Sequence, residues 1–128
     1  MRILIADDDR VLVTRLAAHL KSFGFEVRVA YDALAASTAL FRESPDAIVL
    51  DIGMPAGTGM EVLRRLRSSA KATFVPVVVI TGNEDPDLEE AARSQGAAEF
   101  FRKPIDVDRV REVLYRLLGS ALVSRALA

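Results

Sequence analysis

The sequence contains no cysteine and no tryptophan, and it has a single histidine. Without cysteine, the chain can form neither disulfide bonds nor thiolate metal sites. It also lacks an apolar run approaching the roughly 18 residues that a membrane-spanning helix requires. Acidic residues follow the first four apolar residues, which is not the order of a signal peptide. From these absences we expect a cytoplasmic protein that does not contact a membrane.

The sequence also has no excess of positive or negative charge. The 17 basic and 18 acidic residues leave a formal net charge of −1, which indicates neither a nucleic-acid-binding surface nor an acidic tail. Lysine is scarce among the basic residues, since only Lys21, Lys71 and Lys103 are lysines. Hydrophobic residues make up 51% of the 128 positions, which is enough for one domain with one packed interior.

Short apolar runs alternate with segments of helical periodicity along the whole chain. This alternation predicts an α/β fold, with a five-stranded parallel sheet covered by helices on both faces. In the second strand, Phe25, Val27 and Val29 are expected to share one face. The predicted strands are 3–6, 25–30, 47–51, 75–81 and 98–104. The predicted helices are 12–23, 33–43, 59–69, 87–95 and 107–119.

Residues 119–128 follow the last clear helix stop, at Gly119. Three interpretations stay open for them: a helical extension, a linker to a further domain, or an artificial chain end. The segment is too short to hold a helix-turn-helix or another DNA-reading element. We therefore expect no direct nucleic-acid contact from this chain.

Polar residues stand at the carboxyl ends of four predicted strands. Asp7 and Asp8 follow the first strand, Asp51 ends the third, Thr81 ends the fourth, and Lys103 follows the fifth. Because the carboxyl ends of parallel strands share one edge, these side chains are expected to converge. Three converging carboxylates call for a cation, and oxygen ligands of this kind suit Mg²⁺.

A simpler interpretation of the acidic run is that Asp7, Asp8 and Asp9 only begin a helix, where acids favour the N-terminal dipole. Asp9 fits this role as an N-cap. The matching positions of Asp51 and Lys103 favour the shared site for Asp7 and Asp8. Taken singly, Lys103 has an equally simple interpretation as a solvated surface charge.

Asp51 is the candidate nucleophile, because a carboxylate can attack phosphorus and form an acyl phosphate. Lys103 would neutralise charge on the transferring oxygens, and Thr81 would offer its hydroxyl to one of them. Gly53 stands two positions after Asp51, where hydrolases that turn over an aspartyl phosphate carry a second acid. Glycine cannot act as a general acid or base. The sequence therefore indicates a site that holds a phosphoryl group, with a small Mg²⁺-dependent phosphatase or phosphotransferase as the alternative.

Four motifs together resemble the receiver domain of two-component response regulators. They are "LIADDD", "VLDIGMP", "VVVITG" and "FFRKPI", each following its strand and in this order. The resemblance covers about residues 2–118. It implies a flavodoxin-like doubly wound fold with strand order 2-1-3-4-5. It also implies a receiver domain over residues 1–118, with residues 119–128 as a tail or linker.

The resemblance implies a role for each acidic residue of the site. Asp51 would accept a phosphoryl group from a histidine of a sensor kinase or of a histidine phosphotransfer protein. Asp8 would bind Mg²⁺ directly, Asp7 would bind it largely through water, and Asp51 and the Gly53 carbonyl would complete the metal site. The protein would be a signalling phosphoacceptor and not an enzyme that turns over substrates.

The remaining implied residues contact the phosphoryl group or respond to it. Thr81, Lys103 and the N–H groups of Gly53 and Gly82 would make contacts, and the Lys103–Pro104 peptide bond would be cis. Phe100 occupies the position of the family's aromatic switch, and it would move into the space that Thr81 vacates. Read without the resemblance, Phe100 is an aromatic residue in or near the core.

Three functions therefore compete at this stage. The first is a signalling module whose fourth helix, fifth strand and fifth helix form a face that changes on phosphorylation. That face would bind an output domain, a downstream protein or a second copy of the chain. The second is the metabolite phosphatase introduced above. The third is a degenerate receiver used as a scaffold, which the presence of all five site residues disfavours.

Two further features have simple interpretations. His19, the lone histidine, is expected to be a surface or helix-packing residue, because no partners for metal or phosphoryl chemistry stand near it in the sequence. Arg64, Arg65 and Arg67 form a basic run that is expected to be a solvated helix face.

Overall fold

The structure is a computed structural model that describes residues 1–54, 59–70 and 74–127, with side chains described to residue 119. Helices and strands alternate along the chain, as the sequence predicts. The strands are β1 (Arg2–Ala6), β2 (Glu26–Ala30), β3 (Ala47–Asp51), β4 (Val77–Thr81) and β5 (Glu99–Arg102). The helices are α1 (Arg10–Ser22), α2 (Ala33–Glu43), α3 (Gly59–Ser68), α4 (Leu88–Ser94) and α5 (Val107–Leu127).

The five strands form one parallel sheet in the order β2-β1-β3-β4-β5, which confirms the predicted fold class and strand order. The chain crosses from one side of β1 to the other between β2 and β3. In doubly wound sheets, such a reversal opens a crevice at the carboxyl ends of the two central strands. Here those strands are β1 and β3, which end beside Asp7 and Asp51.

The core lies in two layers, one on each face of the sheet. The central strands β1, β3 and β4 are buried on both faces because nearly every side chain in them is apolar. Alternate residues of each strand serve opposite layers: Leu4 and Val79 pack beneath α2 and α3, whereas Ile5 and Ile80 pack beneath α1 and α5. This continuous apolar support fixes the positions of the strand ends.

Local capping sets most helix boundaries. Asp9, Asp32 and Asp106 each accept a backbone N–H bond in the first turn of the helix that follows. The N-cap expected of Asp9 is therefore confirmed. Gly24 and Gly96 follow α1 and α4 with φ values of 92° and 97°, in the left-handed region that glycine adopts without strain.

The last helix extends beyond the predicted stop, in agreement with the helical extension that is one of three interpretations of this segment. Helix α5 continues through Gly119 to Leu127 instead of stopping at the glycine. A single glycine costs a helix interior only about 1 kcal/mol relative to alanine. The residues after it include alanine and leucine and no proline, so they propagate the helix.

Edge position explains the exposure of one strand residue. Phe25 and Val27 are buried, but Val29 keeps 36% of its surface exposed. Strand β2 is an edge strand, and Val29 lines a shallow depression with the small side chains of Ala17 and Ala18 on α1. The two alanines are too short to cover the valine.

The interpretation of the basic run is correct for two arginines and wrong for the third. Arg64 and Arg65 are exposed, but the Arg67 guanidinium donates hydrogen bonds to the carbonyls of Val75 (2.9 Å) and Gly96 (2.7 Å). Burial lowers the pKa of Arg67. This side chain therefore joins α3 to the segments that precede β4 and β5. It satisfies two carbonyls that lie outside the sheet ladder.

The histidine is a helix-packing residue, as expected. His19 Nε2 lies 2.9 Å from an Arg111 guanidinium nitrogen and 3.2 Å from Asp108, both on α5. Its ring also packs against Phe23, with a centroid separation of 5.1 Å. The cluster joins α1 to α5.

Gly59, the first residue of α3, lies unusually close to the end of β3. A Cβ atom placed on it would stand 2.3 Å from the Asp51 carbonyl oxygen and 2.5 Å from the Ile52 Cα. Both neighbours are backbone atoms, so neither can rotate away. The Gly59 N–H also donates to the Ile52 carbonyl at 3.3 Å. Only glycine permits this approach of α3 to the strand that carries Asp51.

We expect Gly59→Ala to destabilise the protein by about 1–3 kcal/mol, because the strand end must shift to admit the methyl group. Gly119→Ala is the matched control, since nothing lies within 4 Å of a Cβ at that helical position. Urea unfolding should show a gain of about 0.5–1 kcal/mol for the control. Equal stability of the two variants would contradict the close approach.

Candidate functional site

Two buried carboxylates face each other across the central crevice. Asp7 follows Ala6 and Asp51 follows Leu50, and Ala6 and Leu50 are partners in the β1–β3 ladder. The parallel register therefore brings Asp7 beside Asp51. Asp7 is 0% exposed and Asp51 is 5% exposed, whereas the neighbouring Asp8 is exposed. One oxygen from each of the three lies within 4.8 Å of the others.

Lys103 supplies the positive charge between the two buried acids. Its Nζ lies 2.9 Å from Asp7 Oδ2 and 3.4 Å from Asp51 Oδ2. Burial acts to lower the pKa of Lys103, but the carboxylates of Asp7 and Asp51 outweigh it, and the pKa is raised. Burial raises the pKa of Asp7, against the opposing effects of the Asp9 N–H and Lys103. The site thus holds one ammonium against an excess of carboxylate charge.

Backbone amides orient both buried carboxylates. The Gly53 N–H donates to Asp51 Oδ1 at 2.9 Å, and the Asp9 N–H donates to Asp7 Oδ1 at 2.9 Å. The Gly53 backbone lies so near the acid that a Cβ there would stand 3.5 Å from Asp51 Oδ1. These bonds fix one oxygen of each carboxylate. Lys103 donates to the other oxygen of Asp51, Oδ2, at 3.4 Å, but in Asp7 it donates to the same Oδ1 at 3.2 Å.

The oxygen atoms at this edge fit a hard divalent cation. Asp7 Oδ2 is fully buried and accepts no well-directed hydrogen bond, even though the Lys103 ammonium is close. A buried carboxylate oxygen without such a bond is normally costly. Asp8 and Asp51 bring further oxygens to the same point, and Mg²⁺ prefers carboxylates together with water. The acidic cluster is thus chemically suited to Mg²⁺.

Thr81 and Gly82 lie beside Lys103. Thr81 is 2% exposed, and its hydroxyl accepts a hydrogen bond from the Asn83 N–H at 3.0 Å. Its carbonyl accepts from the Lys103 N–H at 2.8 Å, which joins the ends of β4 and β5. A Cβ on Gly82 would lie 3.8 Å from Lys103 Cδ. The ends of β1, β3, β4 and β5 therefore converge around one lysine side chain.

Phe100 and Thr81 share a face of the sheet. Phe100 pairs with Val79, and Thr81 stands two residues after Val79, so all three project to the same side. Phe100 is buried, with 8% of its surface exposed. Phe101 projects to the opposite layer, where it is half-buried. The Lys103–Pro104 peptide bond that follows is cis.

The comparison with known families identifies the kind of domain that carries these residues. Residues 3–115 match the model of the response regulator receiver domain. This chain belongs to the receiver domain family. Receivers act in two-component signal transduction, and the acidic crevice of this receiver is suited to accept a phosphoryl group.

Individual relatives of this chain are also response regulators. The response regulator protein PmrA of Pseudomonas aeruginosa is 37% identical over 126 residues, which cover 95% of this receiver and 56% of that protein. The response regulator MprA of Mycobacterium avium is 35% identical over 120 residues, covering 91% and 52% of the two chains. The receiver thus spans about half the length of these curated relatives.

The fold also matches a solved structure. A CheY-like response regulator receiver domain protein from Methanospirillum hungatei superimposes with a TM-score of 0.89. The match covers 96% of this receiver and 97% of that chain at 23% identity, so it shows the fold alone. In the part of the receiver that the structure describes, no helix is long and apolar enough to cross a membrane.

One residue beside the site stands outside the predicted set. Arg102 precedes Lys103 in β5, and its guanidinium donates hydrogen bonds to the loop after Thr81. It lies within the motif "FFRKPI", but the resemblance gives it no role, and its contacts depend on β4 and β5 being neighbours. The only available signal is its position between Phe100 and Lys103.

We expect Mg²⁺ to raise the stability of the wild-type receiver, by about 2.7 kcal/mol when its concentration is 100 times the Kd. Asp8→Asn should lose most of this gain, because an exposed carboxylate of the metal cluster is removed without disturbing the core. Thermal unfolding with and without Mg²⁺ measures the difference.

Asp9→Asn is the control for this experiment. Asn is as good an N-cap as Asp, and Asp9 is not in the metal cluster, so this variant should keep the full response. A full Mg²⁺ response in Asp8→Asn would exclude Asp8 from the metal site.

Proposed function

We propose that Asp51 is the phosphoacceptor of this receiver and takes the phosphoryl group from a phosphohistidine of a sensor kinase or histidine phosphotransfer protein. The observation that carries the proposal is the contact of Lys103 with both buried carboxylates at the carboxyl edge of the sheet. Asp51 is buried at the end of β3, its carboxylate is oriented by Gly53, and a cation lies beside it.

In the proposed step, the bond between phosphorus and the imidazole nitrogen breaks as phosphorus bonds to an Asp51 oxygen. The histidine keeps the electron pair and takes up a proton. Lys103 remains beside the group and offsets the charge of its oxygens. The Gly82 N–H and the Thr81 hydroxyl are the further donors for these oxygens.

Asp7, Asp8, Asp51 and the Gly53 carbonyl would hold Mg²⁺. When bound, the ion supplies positive charge that the lysine alone cannot provide against three carboxylates. Asp7 holds Lys103 in the crevice through the contact at 2.9 Å. Gly53 offers no side chain to act as general base, which supports a slow loss of the phosphoryl group over rapid turnover. The lack of a general base at Gly53 therefore favours a signalling role over a phosphatase activity.

Switching would begin at the Thr81 hydroxyl. This hydroxyl accepts the Asn83 N–H and keeps its own proton to donate, so a phosphoryl oxygen on Asp51 would draw it toward the crevice. Phe100 lies on the same face of the sheet and would move into the space that Thr81 leaves. The surface of α4, β5 and α5 would then change shape for a partner, an output domain or a second receiver.

The proposed output face is held by ion pairs between its elements. Glu99 of β5 accepts from Arg93 of α4 at 2.7 Å and from Arg116 of α5 at 2.9 Å. We propose residues 1–118 as the receiver and residues 119–128 as a linker, which the continuous helix α5 supports. The greater length of the curated relatives supports a further domain in the whole protein.

The acceptor is tested by incubating the receiver with Mg²⁺ and acetyl phosphate and measuring the intact mass. The wild type should gain about one phosphoryl group per chain and Asp51→Asn should gain none. Asp46→Asn is the matched control, because Asp46 precedes the same strand at its opposite end. Its labelling should equal that of the wild type.

Two results would contradict the proposal. Equal labelling of Asp51→Asn and wild type would remove Asp51 from its role. Continuous release of phosphate from a small ester such as p-nitrophenyl phosphate would instead favour the phosphatase.

A pH-dependent stability difference is expected at the output face. Burial acts to raise the pKa of Glu99, but Arg93 and Arg116 outweigh it and the pKa is lowered. A lowered folded-state pKa contributes stability above the unfolded value of 4.5, and this stability is lost as pH falls through the folded value. Glu99→Gln should therefore be less stable than wild type at pH 7, with a deficit that shrinks below about pH 4.5. Urea unfolding across pH 3–7 measures it, and a pH-independent deficit would contradict the pairing.

A further inference from the structure

Arg102 contacts both the β4–α4 loop and Phe100, which are the two parts of the receiver that the proposed switch must move. It is the last residue of β5 and pairs with Thr81, the last residue of β4. It also lies two residues after Phe100, so its side chain projects to the same face as the phenyl ring. The next residue, Lys103, enters the acidic crevice.

The Arg102 side chain binds the loop between β4 and α4. One guanidinium nitrogen donates to the carbonyl of Asn83, and the other donates to the carbonyl of Asp85 at 2.9 Å. The guanidinium carbon lies 5.2 Å from the centroid of the Phe100 ring, within the range of a cation–π contact. One planar group therefore contacts both the loop and the aromatic residue.

The other hydrogen bonds of this loop are local. Asn83 N–H donates to the Thr81 hydroxyl, Asp85 N–H donates to the Asn83 side chain, and Asp87 N–H donates to the Asp85 side chain. Residues 82–87 are exposed and bury little apolar surface. Their position relative to β5 therefore depends strongly on the contacts that Arg102 makes.

We propose that Arg102 is a latch that holds the β4–α4 loop and Phe100 in the resting arrangement of the receiver. The inference rests on the proposed function, because the motion it opposes is the response to a phosphoryl group on Asp51. If Thr81 moves toward Asp51, the loop that follows moves with it. The carbonyls of Asn83 and Asp85 then leave the guanidinium. Phe100 leaves it as well, so all three contacts are lost together.

A group that binds one state and not the other shifts the equilibrium between them by its differential contact energy. Hydrogen bonds from a charged donor are stronger than neutral ones, but solvent competes for these exposed carbonyls. Loss of the latch should therefore enlarge the switched population about three- to tenfold. Arg102 acts through the loop and is a positioning residue, not a catalytic one.

The test compares wild type, Arg102→Gln, Arg102→Lys and Arg109→Gln. Lysine keeps the charge but cannot hold two carbonyls in a planar fork. Arg109 is an exposed arginine of α5 and controls for net charge. The measurements are the rate of labelling by acetyl phosphate with Mg²⁺ and the hydrogen exchange of the residue 82–88 amides before labelling.

We expect both Arg102 variants to be labelled about three- to tenfold faster than wild type, with faster amide exchange in residues 82–88. Arg109→Gln should match wild type in both measurements. Wild-type labelling rates in both Arg102 variants, or slower rates, would overturn the latch. An Arg102→Lys variant that behaves as wild type would assign the effect to charge and also overturn it.

The Asp51→Asn variant separates this result from failure of the proposed function. If labelling does not depend on Asp51, the acceptor proposal fails whatever Arg102 does. If labelling depends on Asp51 but not on Arg102, only the latch fails.

Discussion

The attraction between Lys103 and two buried carboxylates is the constraint on which the carboxyl edge of this receiver depends. Asp7 and Asp51 lie side by side in a buried crevice, where two like charges about 4 Å apart repel by on the order of 4 kcal/mol at an effective dielectric of 20. Lys103 lies within 3.4 Å of both and offsets this repulsion. The backbone N–H groups that donate to one oxygen of each acid stabilise the two carboxylates further. The same excess of negative charge makes the crevice attractive to a divalent cation.

The sequence predicts the fold well because a parallel sheet obeys simple rules. Apolar runs with helical segments between them determine the element order, and parallel strands bring their carboxyl ends to one edge. Asp7, Asp51 and Lys103 therefore meet even though they lie far apart in the chain. The strand order needed more than periodicity and came from the resemblance to a family. The roles of these residues stay predictions, because proximity alone does not reveal which atom accepts a phosphoryl group.

The features that escaped prediction depend on neighbours that are distant in the chain. Arg67 belongs to a basic run, but two carbonyls from other segments bind it. Val29 follows the apolar alternation of β2, but the short alanine side chains of α1 leave it exposed. Gly119 resembles a stop signal, but the residues after it favour helix strongly enough to continue. Arg102 has no assigned role in its motif and gains its contacts only because β4 and β5 are adjacent. At Gly119 the residues that follow in the same helix decide the outcome; in the other cases the deciding quantity is the size or reach of a side chain in contact with another element.

The alternation of side chains along β5 has a consequence for how this receiver tolerates change. Phe100 and Arg102 project to one side, toward the loop, whereas Lys103 continues the strand into the acidic crevice. One short segment would thus carry both the proposed chemistry and its proposed readout, separated only by the pleat of the strand. Inserting or deleting a single residue in β5 would move every following side chain of the strand to the opposite face of the sheet. The function proposed for this segment therefore depends on its length as well as on the residues in it.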